Sequence, residues 1–294
     1  MFITTLIAAG RLRRGDISAA ADALAEAGAR PLESGWIEPG DAADIRFAGD
    51  AGSARAVLES WAGGRAIDIL VQRAAGRAKR LLAADMDSTV IAVECIDELA
   101  DYAGLKPEIA AITERAMKGE LDFAAALAER MELLAGLDSA LVDRCLEERV
   151  RHTPGARRLV ATMKANGAYC LLLSGGFTAF AGPVADALGF DEAVANRLAL
   201  ADDRLTGKIE GRAIGAEAKR DAMLAAARRR GLGPADCLAV GDGANDVPML
   251  EAAGLGIAYR AKPAASAAAD GEIRHHDLAA LLFVQGYARK DWSV

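Results

Sequence analysis

Two aspartates separated by a single residue end the apolar run of LLAADMDSTV, residues 81–90. In an extended segment residues two apart share a side, so Asp85 and Asp87 crowd one another and each resists the other's ionisation. A positive group between them would relieve that repulsion, and hard carboxylate oxygens suit a divalent cation such as Mg2+. A calcium-binding helix-loop-helix is excluded. Counted from Asp85, the sixth position is Val90 where that loop requires glycine, and the twelfth is Ile96 where it requires glutamate.

Further groups of the right kind recur along the chain. GDGANDVPML, residues 241–250, sets Asp242, Asn245 and Asp246 around Gly243, which permits a tight turn close to a ligand. SGGF, residues 174–177, offers the Ser174 hydroxyl and free backbone amides at a strand-to-helix turn, the makings of an anion site. Lys219 stands near the start of the helically patterned AEAKRDAML. Each has a plainer reading: Asp-Gly as an ordinary turn, Asp87-Ser88-Thr89 as a helix cap, Lys219 as a solvated lysine. Together they supply a carboxylate nucleophile, an acid-base partner, a hydroxyl, a lysine and metal ligands. Those are the parts of a phosphoryl-transfer site, where catalysis is positioning and charge neutralisation.

Other chemistries lack their residues. Neither GxxxxGK[ST] nor GxGxxG occurs, and none of His152, His275 and His276 stands beside a serine or cysteine of these loops. The pair His275-His276 has no cysteine or spaced histidine to complete a zinc site.

The elements that must hold these loops can be read from apolar patterning. RLLAADMDST, AYCLLLSGGF and CLAVGDGAND are apolar runs ending in polar or glycine-rich loops, separated by helical stretches such as PGARRLVATMKANG and AEAKRDAMLAAARRRG. Strand-helix alternation predicts an α/β fold with a doubly wound parallel sheet, whose loops at the carboxyl strand ends share one crevice. Between the first two runs, about 94–150 is strongly helical and reads as an inserted cap. Residues 1–76 read as β-α-β-β-α-β, a ferredoxin-like α+β unit in which Asp16 caps the first helix, and AAGRAKR, residues 74–80, reads as the joint to a second domain at 77–294.

Composition narrows the partners. The 294 residues are 52% hydrophobic and 26% charged with a net charge of −7, a globular balance without the basic footprint of a nucleic-acid or anionic-membrane binder. Cys95, Cys145, Cys170 and Cys237 form no CxxC pair and read as buried thiols. The apolar start of MFITTLIAAGRLRRGD precedes its arginines, the reverse of a signal peptide, and no apolar stretch reaches the ~20 residues of a membrane span. A cytoplasmic protein is expected.

In chain order, DMDST (85–89), SGGF (174–177), Lys219 and GDGAND (241–246) resemble the four motifs of the haloacid dehalogenase superfamily of phosphatases. VECIDELA, AMKGELDF followed by Arg130, ANRL and TGKIEG extend the similarity, over about 80–270, to the phosphoserine phosphatase branch of that superfamily. The resemblance implies Mg2+-dependent hydrolysis of O-phospho-L-serine to L-serine and phosphate, the final step of serine biosynthesis. It gives Asp85 the nucleophile's role and Asp87 the acid-base role. Mg2+ would be held by Asp85, the backbone carbonyl of Asp87, and Asp242, with Asp246 and Asn245 in support. Ser174, Gly175 and Lys219 would hold the phosphoryl oxygens. Glu94 would take the substrate ammonium and Arg130 its carboxylate, with Met117 and Phe123 closing the pocket.

Residues 1–76 resemble the ACT-like regulatory domain of bacterial members, and a homodimer is compatible with that. The segment GRLRRGD keeps Gly15 but has neither the proline nor the preceding aspartate usual in amino-acid-binding ACT domains, so dimerisation or simple packing stands beside serine binding as its role. Two rivals remain: an enzyme acting on another small phosphate such as phosphohomoserine, and a non-enzymatic amino-acid-binding regulator. Retention of both Asp85 and Asp87 argues against the second.

Overall fold

The computed structural model describes the chain apart from residues 118 and 119 and the side chain of Met117. The sequence expectation for Met117 as a pocket residue therefore lies outside the described residues.

The first 73 residues run β1 (Phe2–Ile7), α1 (Arg14–Glu26), β2 (Arg30–Glu38), β3 (Ala42–Ala48), α2 (Ala51–Ala62) and β4 (Asp68–Arg73). The expected β-α-β-β-α-β order holds, and the strands pair antiparallel in the order β2-β3-β1-β4. Period-2 alternation sends Leu6, Ile45, Phe47, Ile69 and Val71 onto Ile17, Ala20 and Leu24 of α1 and Leu58 of α2. Asp16 is not the residue that opens α1. The helix starts two residues earlier, after the extended Arg13, and the Asp16 carboxylate reaches back from the third position to accept the Arg13 N–H at 2.8 Å.

The rest of the chain builds a second sheet from β5 (Leu81–Asp85), β6 (Tyr169–Phe177), β7 (Glu192–Ala201), β8 (Arg204–Glu210), β9 (Cys237–Gly241), β10 (Leu255–Tyr259) and β11 (Gly271–Ile273). Its order is β11-β10-β9-β5-β6-β7-β8. The pairings are parallel from β11 through to β7, while β8 returns antiparallel along β7. Helices cover both faces, as near-continuous apolar strands require. Leu82 and Ala84 of β5 join a core with Leu159, Val160 and Phe180 from α7 (Ala156–Ala165) and α8 (Thr178–Leu188). Leu81 and Ala83 join another with Met223 and Met249 from α9 (Ala216–Arg229) and α10 (Val247–Ala252). Because the chain leaves β5 for β6 on one side and returns at β9 on the other, the crevice at the β5 carboxyl end is the switch point where such folds bind ligands.

The inserted segment is helical as expected: α3 (Cys95–Tyr102), α4 (Lys106–Met117), α5 (Phe123–Leu133) and α6 (Ala140–Glu148). The hairpin of β7 and β8, which apolar patterning did not reveal, supports it. Leu205 and the Gly136–Leu137 turn exchange backbone hydrogen bonds at 2.8 and 2.9 Å. Gly207, at φ +77, brings the hairpin so near α5 that a Cβ there would lie 2.9 Å from the Ala135 methyl.

The two sheets are tied through Arg77. Its guanidinium donates to both oxygens of Asp44 (2.5 and 2.8 Å), to Thr5 Oγ1 (3.0 Å), and to the carbonyls of Phe283 and Val284 (2.9 and 2.8 Å) in α12 (Ala280–Val284). Burial pushes the Asp44 carboxyl above its ordinary value, against the lowering influence of Arg77. Arg77→Leu leaves that carboxylate enclosed without its cation, an effect of about 2–4 kcal/mol. Urea unfolding should report a destabilisation of that size, and an unchanged midpoint would show that the seam contributes nothing.

Candidate active site

The end of β5 delivers Asp85 into the crevice with 3% of its surface exposed. Its Oδ1 accepts the Lys219 ammonium at 2.6 Å and the Met86 N–H at 2.8 Å. Lys219, on the first turn of α9, is fully buried and also donates at 2.8 Å to Asp246 Oδ1. The solvated-lysine reading therefore fails. Burial drives the Asp85 carboxyl well above its ordinary value, and the nearby Asp246 charge adds to this while Lys219 opposes it. Burial alone would lower the Lys219 ammonium, but the fields of Asp246 and Asp85 outweigh it and raise the value.

Asp246 closes the cluster from the third loop. Its Oδ2 accepts the N–H groups of Asp242 and Gly243, both at 3.1 Å, which folds GDGAND around the carboxylate. A Cβ on Gly241 would come within 2.4 Å of the Asp246 carboxyl carbon, so this position must be glycine. Asp242 is 5% exposed, and its Oδ1 accepts the Thr89 hydroxyl at 3.4 Å. Asn245, half-buried on the same turn, lays its side-chain oxygen over Gly243. Oxygens of Asp85, Asp242 and Asp246 lie within 4.8 Å of one another. Buried hard donors at that spacing fit a small divalent cation, with Asp246 already engaged by Lys219 and two amides.

Asp87 sits on a left-handed kink. Ser88 adopts φ +55, a strained value for a residue with a side chain, and is held by its N–H to the Val93 carbonyl (3.2 Å) and its hydroxyl to Glu94 Oε1 (2.9 Å). The kink directs the Asp87 carboxylate at two donors, the Cys95 N–H (2.8 Å) and the Ser174 hydroxyl (3.1 Å). Burial first, then the charge of Glu94, raise the Asp87 carboxyl to about 6.

SGGF is not a helix-opening turn. Its four residues are the end of β6, whose register with β7 slips between Leu173 and Phe177, and α8 begins only at Thr178. The Gly176 amide is turned onto Ser174 Oγ at 2.8 Å. Asn196, 2% exposed, locks this stretch by donating to the Gly175 carbonyl (2.8 Å) while accepting the Ile214 N–H (2.7 Å). Sequence reasoning gave Asn196 no role, although ANRL was among the residues that carried the resemblance.

Of the substrate-specificity candidates, Glu94 precedes α3 and meets the kink through Ser88. Arg130 lies on α5 and is half-buried, its Nε bonded back to the Ala126 carbonyl at 3.2 Å. Burial lowers the guanidinium's value, opposed by Asp97 and Glu94. Asp97, not foreseen, thus stands electrically between the pair. Phe123 opens α5 and presses its ring on both glycines of the crevice rim: Cβ atoms at Gly175 and Gly215 would lie 3.3 and 3.0 Å from it. The cap therefore rests against the core.

A family model of haloacid dehalogenase-like hydrolases matches residues 82–251, the span from β5 through the GDGAND turn. The chain belongs to that family. Within it, the chain is similar to a phosphoserine phosphatase of Archaeoglobus fulgidus, 43% identical over 237 residues that make up 80% of this chain and 69% of the relative. A solved probable phosphoserine phosphatase from Vibrio cholerae covers 99% of this chain and 87% of its own, at 30% identity and a TM-score of 0.76. A phosphoserine phosphatase solved as a phospho-aspartyl intermediate analogue covers 70% of this chain and 98% of its own, at 38% identity and a TM-score of 0.66.

Lys219→Met removes the cation that bridges Asp85 and Asp246. The Asp85 carboxyl, raised by burial and by Asp246 and no longer opposed by Lys219, then titrates higher in the folded than in the unfolded chain, so the native state binds more protons and stability falls as pH rises. Chemical denaturation should show a loss of about 3–5 kcal/mol near neutrality that shrinks towards about pH 5. A pH-independent loss would locate the effect in packing.

Proposed function

We propose that this haloacid dehalogenase-like hydrolase converts O-phospho-L-serine to L-serine and phosphate through an aspartyl-phosphate intermediate, with Mg2+ as cofactor. The observation that carries the reading is the Lys219-paired Asp85 with Asp87 two residues on, turned to the Ser174 hydroxyl. The similarity to phosphoserine phosphatases over most of the chain supports the substrate.

Asp85 attacks phosphorus in line, forming the Asp85–phosphorus bond as the bond to the serine oxygen breaks. Lys219, already neutralising Asp85, lets the anionic phosphate approach, and Ser174 and the Gly175 backbone hold phosphoryl oxygens. Asp87, whose carboxyl is raised to about 6, gives its proton to the leaving serine oxygen. It then takes a proton from the water that cleaves the aspartyl-phosphate, returning both carboxyls to their starting states. Asp85, the Asp87 carbonyl and Asp242 would hold Mg2+, supported by Asp246 and Asn245. When bound, Mg2+ supplies further neutralisation of phosphoryl charge.

Glu94 takes the substrate ammonium, and Arg130, its Nε bonded back to Ala126, takes the carboxylate with its guanidinium fork. Phe123, against Gly175 and Gly215, shuts the crevice from water.

We assign residues 1–76 to an ACT-like regulatory or dimerisation domain of ferredoxin-like form, and 77–294 to the phosphatase domain with its cap at about 94–150. The antiparallel β-α-β-β-α-β unit supports the first assignment. A cytoplasmic enzyme, possible as a homodimer, fits this reading. Among the described residues no helix is long and apolar enough to cross a membrane.

Phosphate release tests the proposal on phosphoserine, phosphothreonine, phosphohomoserine and an aryl phosphate, with Mg2+ or EDTA. The expected result is Mg2+-dependent turnover of phosphoserine that disappears in Asp85→Asn. Arg130→Ala should raise the KM for phosphoserine roughly 10- to 100-fold and leave the aryl phosphate unaffected. Turnover of the aryl phosphate alone would overturn the assignment of Glu94 and Arg130.

A further inference from the structure

Lys262 enters the same crevice from the loop between β10 and β11. Its backbone N–H donates to the Asp242 carbonyl at 2.8 Å, which pins the residue beside the GDGAND turn. Its ammonium lies 3.3 Å from Asp242 Oδ2 and 3.9 Å from Glu94 Oε1. One lysine thus spans a candidate cation ligand and the candidate partner of the substrate ammonium.

The two lysines of the site differ in kind. Lys219 is fully buried, with both its carboxylates buried around it, and is part of the framework. The Lys262 side chain is 60% exposed, at separations longer than a tight charge-assisted hydrogen bond. Water solvates an ammonium so placed in either position, so it can leave at little cost. The two carboxylates are not equally released by its departure. Asp242 is nearly enclosed, with Thr89 on its other oxygen, whereas Glu94 is 42% exposed and keeps the Ser88 hydroxyl.

We propose that Lys262 is an exchangeable counter-ion that pairs with Asp242 and Glu94 in the empty site and is displaced from them by the divalent cation and the substrate ammonium. The inference rests on the proposed roles of Asp242 and Glu94. Competition by a tethered cation lowers the site's affinity for both ligands, and it keeps two neighbouring carboxylates from facing one another unpaired while the site is empty. Lys262 acts on the reaction through these carboxylates and is a positioning residue.

Isothermal titration of substrate-free protein with Mg2+ tests this without turnover. Removing a partly solvated competitor at this range predicts a Mg2+ Kd roughly three- to ten-fold lower in Lys262→Gln than in the wild type, with Lys262→Arg near the wild type. At saturating Mg2+, Lys262→Gln should also lower the KM for phosphoserine while leaving that for an aryl phosphate, which has no ammonium, in place. A Mg2+ Kd that is unchanged or higher in Lys262→Gln overturns the proposal. If wild type binds Mg2+ but does not turn over phosphoserine, the substrate assignment fails and the Mg2+ titration still decides the exchange at Asp242.

Discussion

A fully enclosed ammonium bonded to two enclosed carboxylates sets the terms for the rest of this structure. Removing three charges from water is expensive unless each finds its partner at hydrogen-bond distance, so Lys219, Asp85 and Asp246 must converge within tight limits. They come from the end of β5, the first turn of α9 and the turn after β9, three elements that only the parallel sheet brings to one edge. The same demand explains Gly241, where any side chain would displace the Asp246 carboxyl, and the two amides that Asp246 gathers with its second oxygen. Excess negative charge in the cluster then makes it a place for a further cation.

Around this fixed centre the contacts grade from rigid to exchangeable. Asp87 is held by a strained kink and two hydrogen bonds, which keeps a titrating carboxyl at one orientation as its charge changes. The cap side is looser in chemical terms: an aromatic ring on two glycines, and Glu94 linked to exposed Lys262. Apolar contact over glycine has no directional bond to break, which suits a surface that must part to admit substrate. The amino-terminal unit is tied to the rest of the chain through Arg77 and α12.

Much of this was legible in residue order. DMDST, SGGF and GDGAND each close an apolar run, and their loops do share one crevice, because parallel strands of one sheet end on the same side. The helical cap and the β-α-β-β-α-β unit were equally legible, since both rest on local periodicity. The β7–β8 hairpin was not: β8 alternates, but its inward positions are only Leu205, Gly207 and Ile209, a short and weakly apolar signal beside loop residues. SGGF looked like a turn because glycine marks turns, but here its backbone stays extended and is held by Asn196 from a neighbouring strand.

The sequence by itself determined which groups are present and in what order: two carboxylates at a strand end, a hydroxyl, a lysine, an acidic turn, and an insertion carrying Glu94 and Arg130. Only the tertiary structure decided their states. Lys219 reads identically as a solvated or a buried lysine until α9 is packed on the sheet, because burial is a property of neighbours distant in the chain. Asp97 and Lys262 gave no local signal at all, since their partners lie on other elements and a Coulomb interaction depends on separation in space, not in sequence.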